Sequence, residues 1–217
     1  ISACLVGSEM CIRDRPFWPP CSTASSRPSR RIPMTPAVAS PAAPLLFNRS
    51  DRLLMEFTGP KAAESLTGLV TNDVLGLRGG DGQYACALTN KGRIIADVRI
   101  LAVAGDDGAM TRLLVDANAA SGLGFSAMIR KYVNPRTARY TDLSQAISTV
   151  TLAGDGALGM LHAAVTDPAQ LAPLVSGERF THREVILTGG IPVRIVRIPD
   201  LGATSAFDLL IAADQVE

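Results

Sequence analysis

Cysteine is nearly absent from most of this 217-residue chain. Three of its four cysteines lie within the first 21 residues, and only Cys86 falls beyond them. Residues 46–217 therefore cannot form an internal disulfide or a cysteine-rich metal site. A single cysteine in such a segment is typical of a reducing compartment, so we predict a cytoplasmic location.

Long apolar runs and a strong net charge are missing as well. No apolar run approaches the roughly 18 residues that a membrane-spanning helix needs. The formal net charge is +1. Residues 1–45 hold five arginines against Glu9 and Asp14, a charge of +3, which leaves −2 for the rest of the chain. Such a near-neutral domain has no electrostatic basis for binding nucleic acid or a membrane, and we predict neither as a partner.

The first 45 residues differ in composition from the rest. They hold eight of the fourteen prolines and the only tryptophan. A segment of this kind buries too little apolar surface to offset its ordering entropy. We predict a disordered or artefactual tail over residues 1–45, with the natural start near Met34. A targeting peptide is the alternative, although the segment has no apolar core followed by a small-residue cleavage site.

From residue 46 onward, short strand-forming runs are interspersed with helical segments. The hydrophobic content of 47% allows one large or two small cores. The turn-forming residues 89–92 lie between two strand-like runs, which predicts a β-hairpin. Predicted strands cover residues 53–58, 83–88, 93–102, 111–115, 137–140, 148–153, 184–187, 191–198 and 207–211. Repeated hairpins with interspersed helices predict an α+β fold with mainly antiparallel sheets and flanking helices.

Two helix starts have sequence signals. Gly59-Pro60 predicts a helix that runs to about Val70, because proline at the first helical position loses no hydrogen bond. Asp116 is placed to cap a helix that runs to about Val133.

A short internal repeat indicates how the domains are organised. The strand, glycine turn and helix predicted from residue 55 recur from residue 150. We therefore expect two similarly built subdomains, residues 46–145 and 146–217, the second one partial and C-terminally truncated.

The second strand of the hairpin carries one carboxylate, Asp97, among apolar neighbours. Since side chains alternate across a strand, one face is wholly apolar: Ile94, Ala96, Val98 and Ile100. Asp97 lies on the other face with Arg93 and Arg99. It is either a solvent-exposed partner of one of these arginines, an ion pair that contributes little, or a functional carboxylate.

Residues 154–159, Gly-Asp-Gly-Ala-Leu-Gly, fit the G-x-G-x-x-G dinucleotide fingerprint after a predicted strand. The rival hypothesis is therefore a nucleotide-binding oxidoreductase. Against it, Glu178 should end a second parallel strand but lies in a segment without a strand pattern. We assign these glycines to a strand-to-helix turn. His162 and His182 have no partner at metal-ligand spacing, so no metal site is predicted.

Three segments together resemble a known family: residues 70–74, Tyr84 and residues 90–97. Residues 71–73 match a Thr-Asn-Asp motif, and residues 92–97 stand where the family has Gly-Gly-Ile-Ile-Asp-Asp. The chain resembles the folate-binding part of the glycine-cleavage T-protein (aminomethyltransferase) family and its YgfZ-type relatives. The resemblance is continuous over residues 47–97 and looser to Ile211.

The resemblance implies a folate-binding protein, with tetrahydrofolate or a 5-substituted folate as cofactor. It implies that Asp97 has the key role in aminomethyl transfer. The residues that it implies for folate contact are Tyr84, Thr71, Asn72, Asp73, Asp116 and Arg197. Aminomethyl transfer would also imply a lipoyl carrier protein (H-protein) as partner.

Several positions depart from the T-protein pattern. The family's His-Met is Asp51-Arg52 here, the first aspartate of the Asp-Asp pair is Ala96, and an asparagine of the family is Asp116. The glutamate that anchors folate in the family is missing. The alternative is a YgfZ-type folate-dependent accessory protein in iron–sulfur cluster maintenance or tRNA modification, without transferase activity. A purely structural remnant is a third interpretation.

Overall fold

The computed structural model describes residues 43–201 and 204–216. The tail predicted over residues 1–45, apart from its last three residues, lies outside the described residues, as does the start predicted near Met34. The strands are β1 (Leu45–Asn48), β2 (Leu53–Thr58), β3 (Gly82–Leu88), β4 (Ile94–Ala104), β5 (Met110–Ala117), β6 (Arg139–Asp142), β7 (Ile147–Ala153), β8 (His182–Ile186), β9 (Pro192–Leu201) and β10 (Thr204–Ala212). The α-helices are α1 (Ala62–Thr67), α2 (Ala119–Tyr132), α3 (Ala157–Ala164) and α4 (Ala172–Ser176).

The strands form two five-stranded sheets in which every neighbouring pair is antiparallel. The first sheet has the order β3-β4-β5-β2-β6, and the second has the order β1-β7-β10-β9-β8. The predicted α+β fold with mainly antiparallel sheets and flanking helices is confirmed.

Apolar side chains hold the two sheets and their helices together in layers. Between the sheets, Leu101 and Leu114 of the first sheet share a buried cluster with Val196 and Leu210 of the second. The opposite face of the first sheet packs against α1 and α2, and that of the second sheet packs against α3 and α4. Burial of each such side chain stabilises the fold by about 1.5–3 kcal/mol.

Both predicted helices begin later than their sequence signals indicate. The first is α1, which starts at Ala62 instead of Pro60. The second is α2, which is capped by Asn118, whose side-chain oxygen accepts from the backbone N–H of Ala120 at 3.0 Å. The prediction that Asp116 caps this helix is wrong, because Asp116 lies within β5 and its buried carboxylate pairs with arginines.

A bulge changes the expected faces of β4. Its register against β3 shifts so that Ala96 pairs with Ala87 and Ile94 pairs with Leu88. Ile95 is the extra residue, and it packs against the cluster that includes α2. The predicted apolar face is therefore wrong at Ile94, which is 68% exposed.

The first and second sheets divide the chain near residue 145. All strands of the first sheet lie between Leu53 and Asp142, and those of the second follow from Ile147, except β1. The sequence pattern did not indicate β1, whose side chains are exposed and which pairs with β7. The division into two subdomains stays a prediction.

The glycines at 154 and 156 form the turn between β7 and α3. Gly154 has φ +116° and Gly156 has φ +86°, conformations that strongly favour glycine. A dinucleotide site of the Rossmann type requires parallel strands around such a turn. Both neighbours of β7, β1 and β10, are antiparallel to it.

NADH and NADPH should therefore show no saturable binding up to about 1 mM, a limit that excludes even weak specific complexes. Titration followed by the fluorescence of the reduced nicotinamide measures this. Binding with a micromolar dissociation constant would restore the oxidoreductase hypothesis if Gly156→Val abolishes it and Gly159→Ala preserves it. Gly159 is a suitable control because a Cβ there would meet nothing within 4 Å.

His182 is fully buried where the second sheet meets the first. Its backbone N–H donates to the carbonyl of Gly80 at 2.9 Å, and its Nδ1 lies 3.1 Å from Nη1 of Arg194. Since arginine can only donate, Nδ1 is the acceptor and the imidazole is neutral. Burial, followed by the charge of Arg194, lowers the pKa of His182 to about 4.

Mild acid should therefore destabilise the fold through His182. The unfolded chain binds this proton near pH 6.5, whereas the folded chain binds it only near pH 4. The stability present above pH 6.5 is thus lost as the pH falls through this window, by about 1 kcal/mol between pH 7 and pH 5.5. Urea unfolding at both pH values measures the loss. His182→Gln should remove it and His162→Gln, at an exposed site on α3, should retain it; equal losses in both variants would disprove the assignment.

Candidate functional site

The hairpin of β3 and β4 brings Tyr84 and Asp97 to one face of the first sheet. In its register, Tyr84 lies opposite Arg99 and Cys86 lies opposite Asp97. Because side chains alternate along each strand, all four project from the same face. Leu101, further along β4 with the same orientation, belongs to the layer between the sheets, so this face turns toward the second sheet. We call Tyr84, Cys86 and Asp97 the hairpin face.

Asp97 is the open carboxylate of the hairpin face. It is half-buried, and within residues 43–201 and 204–216 it forms neither a salt bridge nor a side-chain hydrogen bond. The ion pair with Arg93 or Arg99 that the sequence suggested is therefore wrong. Arg99 pairs with Asp116 and Asp208 instead. Asp97 is left with its acceptor oxygens available.

Tyr84 supplies the aromatic part of the hairpin face. Its side chain is 47% exposed. Partial burial is the main cause that raises the pKa of the Tyr84 hydroxyl above its usual value. The negative charge of Asp97 and the neighbouring Cys86 side chain raise this pKa further. The hydroxyl therefore keeps its proton at neutral pH and can donate a hydrogen bond. The hairpin face thus offers a ring surface, one donor and one carboxylate acceptor.

The segment Thr71–Asp73 lies along the outer edge of β3 and fastens it. The Thr71 hydroxyl accepts from the backbone N–H of Cys86 at 3.0 Å, and the Asn72 amide donates to the backbone carbonyl of Tyr84 at 2.6 Å. The Asp73 carboxylate accepts from the backbone N–H of Leu75 at 2.9 Å. The bonds of Thr71 and Asn72 cover an edge strand that would otherwise expose unpaired backbone groups. The motif holds Tyr84 in place through its backbone.

Asp116 is the centre of a buried network of charges between the sheets. Arg52 Nε lies 2.8 and 2.9 Å from its two carboxylate oxygens, and Arg99 Nη2 lies 2.5 Å from Oδ2. Arg99 Nη1 also donates to Asp208 Oδ2 of the second sheet at 2.5 Å. The hydroxyl of Thr151 donates to the other oxygen of Asp208 at 2.5 Å. Two arginines and two aspartates thus balance their charges and bridge the sheets.

Arg52 and Arg99 keep the Asp116 carboxylate ionised despite its burial. Burial acts to raise the pKa of Asp116, but the hydrogen bond from Arg52 and the charge of Arg99 outweigh it, and the pKa is lowered below its usual value. Burial acts to lower the pKa of Arg99, but Asp116 and Asp208 raise it overall. The oxygens of Asp116 are consequently occupied by protein donors.

Two departures from the T-protein pattern are partners of each other. Arg52 stands where the family has methionine and Asp116 where it has asparagine, and the structure pairs them. The sequence interpretation named Arg99 only as a candidate partner of Asp97 and did not predict its pairing with Asp208. Asp208 is the lone charge within β10, whereas β4 carries both Asp97 and Arg99, so no local pattern selects Arg99 as the partner of Asp208.

Arg197 lies away from the hairpin face. It shares its orientation along β9 with Val193 and Ile195, which pack in the cluster formed with α3 and α4. Its Nη1 donates to the carbonyls of Val175 at 2.8 Å and Gly177 at 2.9 Å, at the end of α4. These carbonyls lack partners within the helix. The structure does not bring Arg197 together with Tyr84 and Asp97.

A sequence model of the GCVT N-terminal domain matches residues 43–217. The chain belongs to the GCVT N-terminal domain family. The resemblance to the T-protein superfamily, inferred from residues 47–97, is thereby confirmed. No curated protein matches this GCVT N-terminal domain.

Two solved structures share the fold of this GCVT N-terminal domain. The glycine cleavage system aminomethyltransferase T from Bartonella henselae matches with a TM-score of 0.60 and 20% identity, over 82% of this chain and 44% of that chain. The heterotetrameric sarcosine oxidase from Corynebacterium sp. U-96, in complex with pyrrole 2-carboxylate, matches with a TM-score of 0.51 and 18% identity, over 82% of both chains. This chain therefore spans less than half the length of the aminomethyltransferase.

Two features are not found in the part of the chain that the structure describes. No group of three or more histidine, cysteine, aspartate or glutamate side chains is arranged to hold a metal ion. No helix there is long and apolar enough to cross a membrane. The cytoplasmic location stays a prediction.

Proposed function

We propose that this GCVT N-terminal domain binds a reduced folate, tetrahydrofolate or a 5-substituted form, at the hairpin face. The observation that carries the proposal is the open Asp97 carboxylate beside the half-exposed ring of Tyr84. A carboxylate accepts hydrogen bonds from the N–H groups of a pterin, and an aromatic ring offers it a stacking surface. Family membership supports folate as the heterocycle.

The same residues suit aminomethyl transfer. Bound tetrahydrofolate would supply a nucleophilic amine at N5. Asp97 would hold the proton at that nitrogen, accept it during the reaction and stabilise positive charge that develops nearby. Tyr84, fixed through its backbone by Asn72, would position the ring system. A lipoyl carrier protein is the partner that this activity requires.

A YgfZ-type accessory role is the second candidate, in which folate is bound without aminomethyl transfer. The observation that favours it is that few carboxylates are available at the site. Ala96 replaces one aspartate of the family pair, and Asp116 is occupied by Arg52 and Arg99. Asp97 is then the carboxylate that is left to act on a bound folate.

Calorimetric titration of the full chain with 5-formyltetrahydrofolate tests the binding proposal. Tyr84→Ala should weaken binding by about fivefold to tenfold, the size of an aromatic contact. Tyr132→Ala, which changes an exposed tyrosine on α2, should leave the affinity unchanged. No heat of binding at millimolar ligand, or equal effects of both variants, would refute the assignment to the hairpin face.

A further inference from the structure

A cavity of about 710 Å³ lies on the other side of the first sheet, between α2 and the outer end of the β3–β4 hairpin. Its walls are mainly apolar and include Leu69, Val70, Leu88 and Met128. Small-molecule sites commonly have volumes of about 300–1,000 Å³ and apolar walls with a few polar groups. The cavity therefore has the size and the composition of a ligand site.

Small residues of α2 keep this cavity open. Gly124 and Ala127 lie on the wall that the helix contributes. At Gly124 the helix approaches β4 closely, because a Cβ there would lie 3.2 Å from Cγ2 of Ile95. Ala127 lies at an exposed position beside the cavity, so a large side chain there would fill the space without entering the core.

The cavity is separate from the hairpin face. The β4 bulge turns Ile95 toward α2, whereas Asp97 projects from the opposite face. Neither Tyr84 nor Asp97 lines the cavity. Thr71 does line it, but its hydroxyl already accepts from the backbone of Cys86. The proposed folate site therefore does not account for this cavity.

Lys131 gives the cavity a positive charge. It is the only charged residue of the lining, and within residues 43–201 and 204–216 it forms no salt bridge. Its Nζ lies 5.0 Å from the centre of the Tyr132 ring, which also lines the cavity. A ligand that complements this arrangement is an anion with an apolar body.

We propose that this cavity binds an amphipathic carboxylate, with its hydrocarbon part between α2 and β4 and its carboxylate at Lys131. The side chains of Thr89 and Asn90, also in the lining, provide further donors for the carboxylate. The apolar walls bury the hydrocarbon, which supplies most of the affinity, and the lysine selects for the anion.

Octanoate and its uncharged analogue 1-octanol test the proposal on the full chain. Binding is followed by the NMR shift of the Met128 methyl group. Lys131→Met should weaken the binding of octanoate by about tenfold, as expected for a lost charge-assisted hydrogen bond. The affinity for 1-octanol should stay within about twofold of the wild-type value. Ala127→Trp should weaken both ligands by about tenfold or more, because it fills the volume that they occupy.

Ala120→Trp is the matched control, an exposed position on the same helix that does not line the cavity. It should change neither affinity, and neither should Tyr84→Ala at the hairpin face. Thermal melting confirms that each variant is folded. The proposal is overturned if octanoate does not shift Met128 at about 10 mM, a concentration that reveals even weak sites. It is also overturned if Lys131→Met weakens both ligands equally, or if the two tryptophan variants behave alike.

Discussion

Replacement of Arg99 by methionine should lower the free energy of unfolding by about 3–5 kcal/mol, the range for breaking a buried ion pair. The change removes the shared partner of Asp116 and Asp208, whose side chains are only 4% and 2% exposed. Asp208 would then keep only its hydrogen bond from Thr151, so its charge would be buried without a counter-ion. Urea unfolding at pH 7 measures the difference.

The exposed pair of Arg112 and Glu56 provides the control. Their side chains are 42% and 22% exposed. Arg112→Met should therefore lower the free energy of unfolding by only about 0–1 kcal/mol, since water and salt screen such pairs. A loss below about 1 kcal/mol for Arg99→Met as well would mean that the network does not hold the sheets together.

Asp97→Asn should reduce aminomethyl transfer by about a hundredfold or more, within the range for loss of a general acid–base group. The substitution preserves shape and removes the negative charge. Because Asp97 has no ion-pair or hydrogen-bond partner in the described part of the chain, stability should change by less than about 0.5 kcal/mol. The rate is measured as transfer from an aminomethyl-lipoyl carrier to tetrahydrofolate.

Asp106→Asn removes the same charge from the exposed turn between β4 and β5 and should leave the rate unchanged. An unaltered rate in Asp97→Asn would remove Asp97 from the reaction. If the wild type has no transferase activity but binds folate, the YgfZ-type role gains support.

The two strands of the hairpin, and the shared face of Tyr84 and Asp97, were predictable from the sequence. Alternating side chains and the turn at residues 89–92 are local signals, and they placed Tyr84 and Asp97 on their strands correctly. The bulge at Ile95 was not predictable in this way, because it depends on how α2 packs against β4. The exposed strand β1 exists through its pairing with β7, about 100 residues later, as Asn48 with Val150 shows.

The buried ion network lay beyond sequence reasoning for a similar reason. Arg52 and Asp116 are 64 residues apart, and Arg99 and Asp208 are 109 apart. Their pairing follows from the packing of one sheet on the other, which no local pattern encodes. The same limit applies to the Thr71–Asp73 motif. Its residues matched a family pattern, but only the register shows that they fasten the edge of β3.

Alkylation of Cys86 tests the location of the folate site most directly. Cys86 lies half-buried on the hairpin face, opposite Asp97 and two residues from Tyr84. It is also the only cysteine beyond residue 21, so peptide mass spectrometry can follow it separately. With 5-formyltetrahydrofolate at ten times its dissociation constant, the rate of reaction with iodoacetamide should fall about tenfold at Cys86, as occupancy dictates, and not at the other three cysteines. An unchanged rate at Cys86 under saturating folate would show that folate does not bind at the hairpin face.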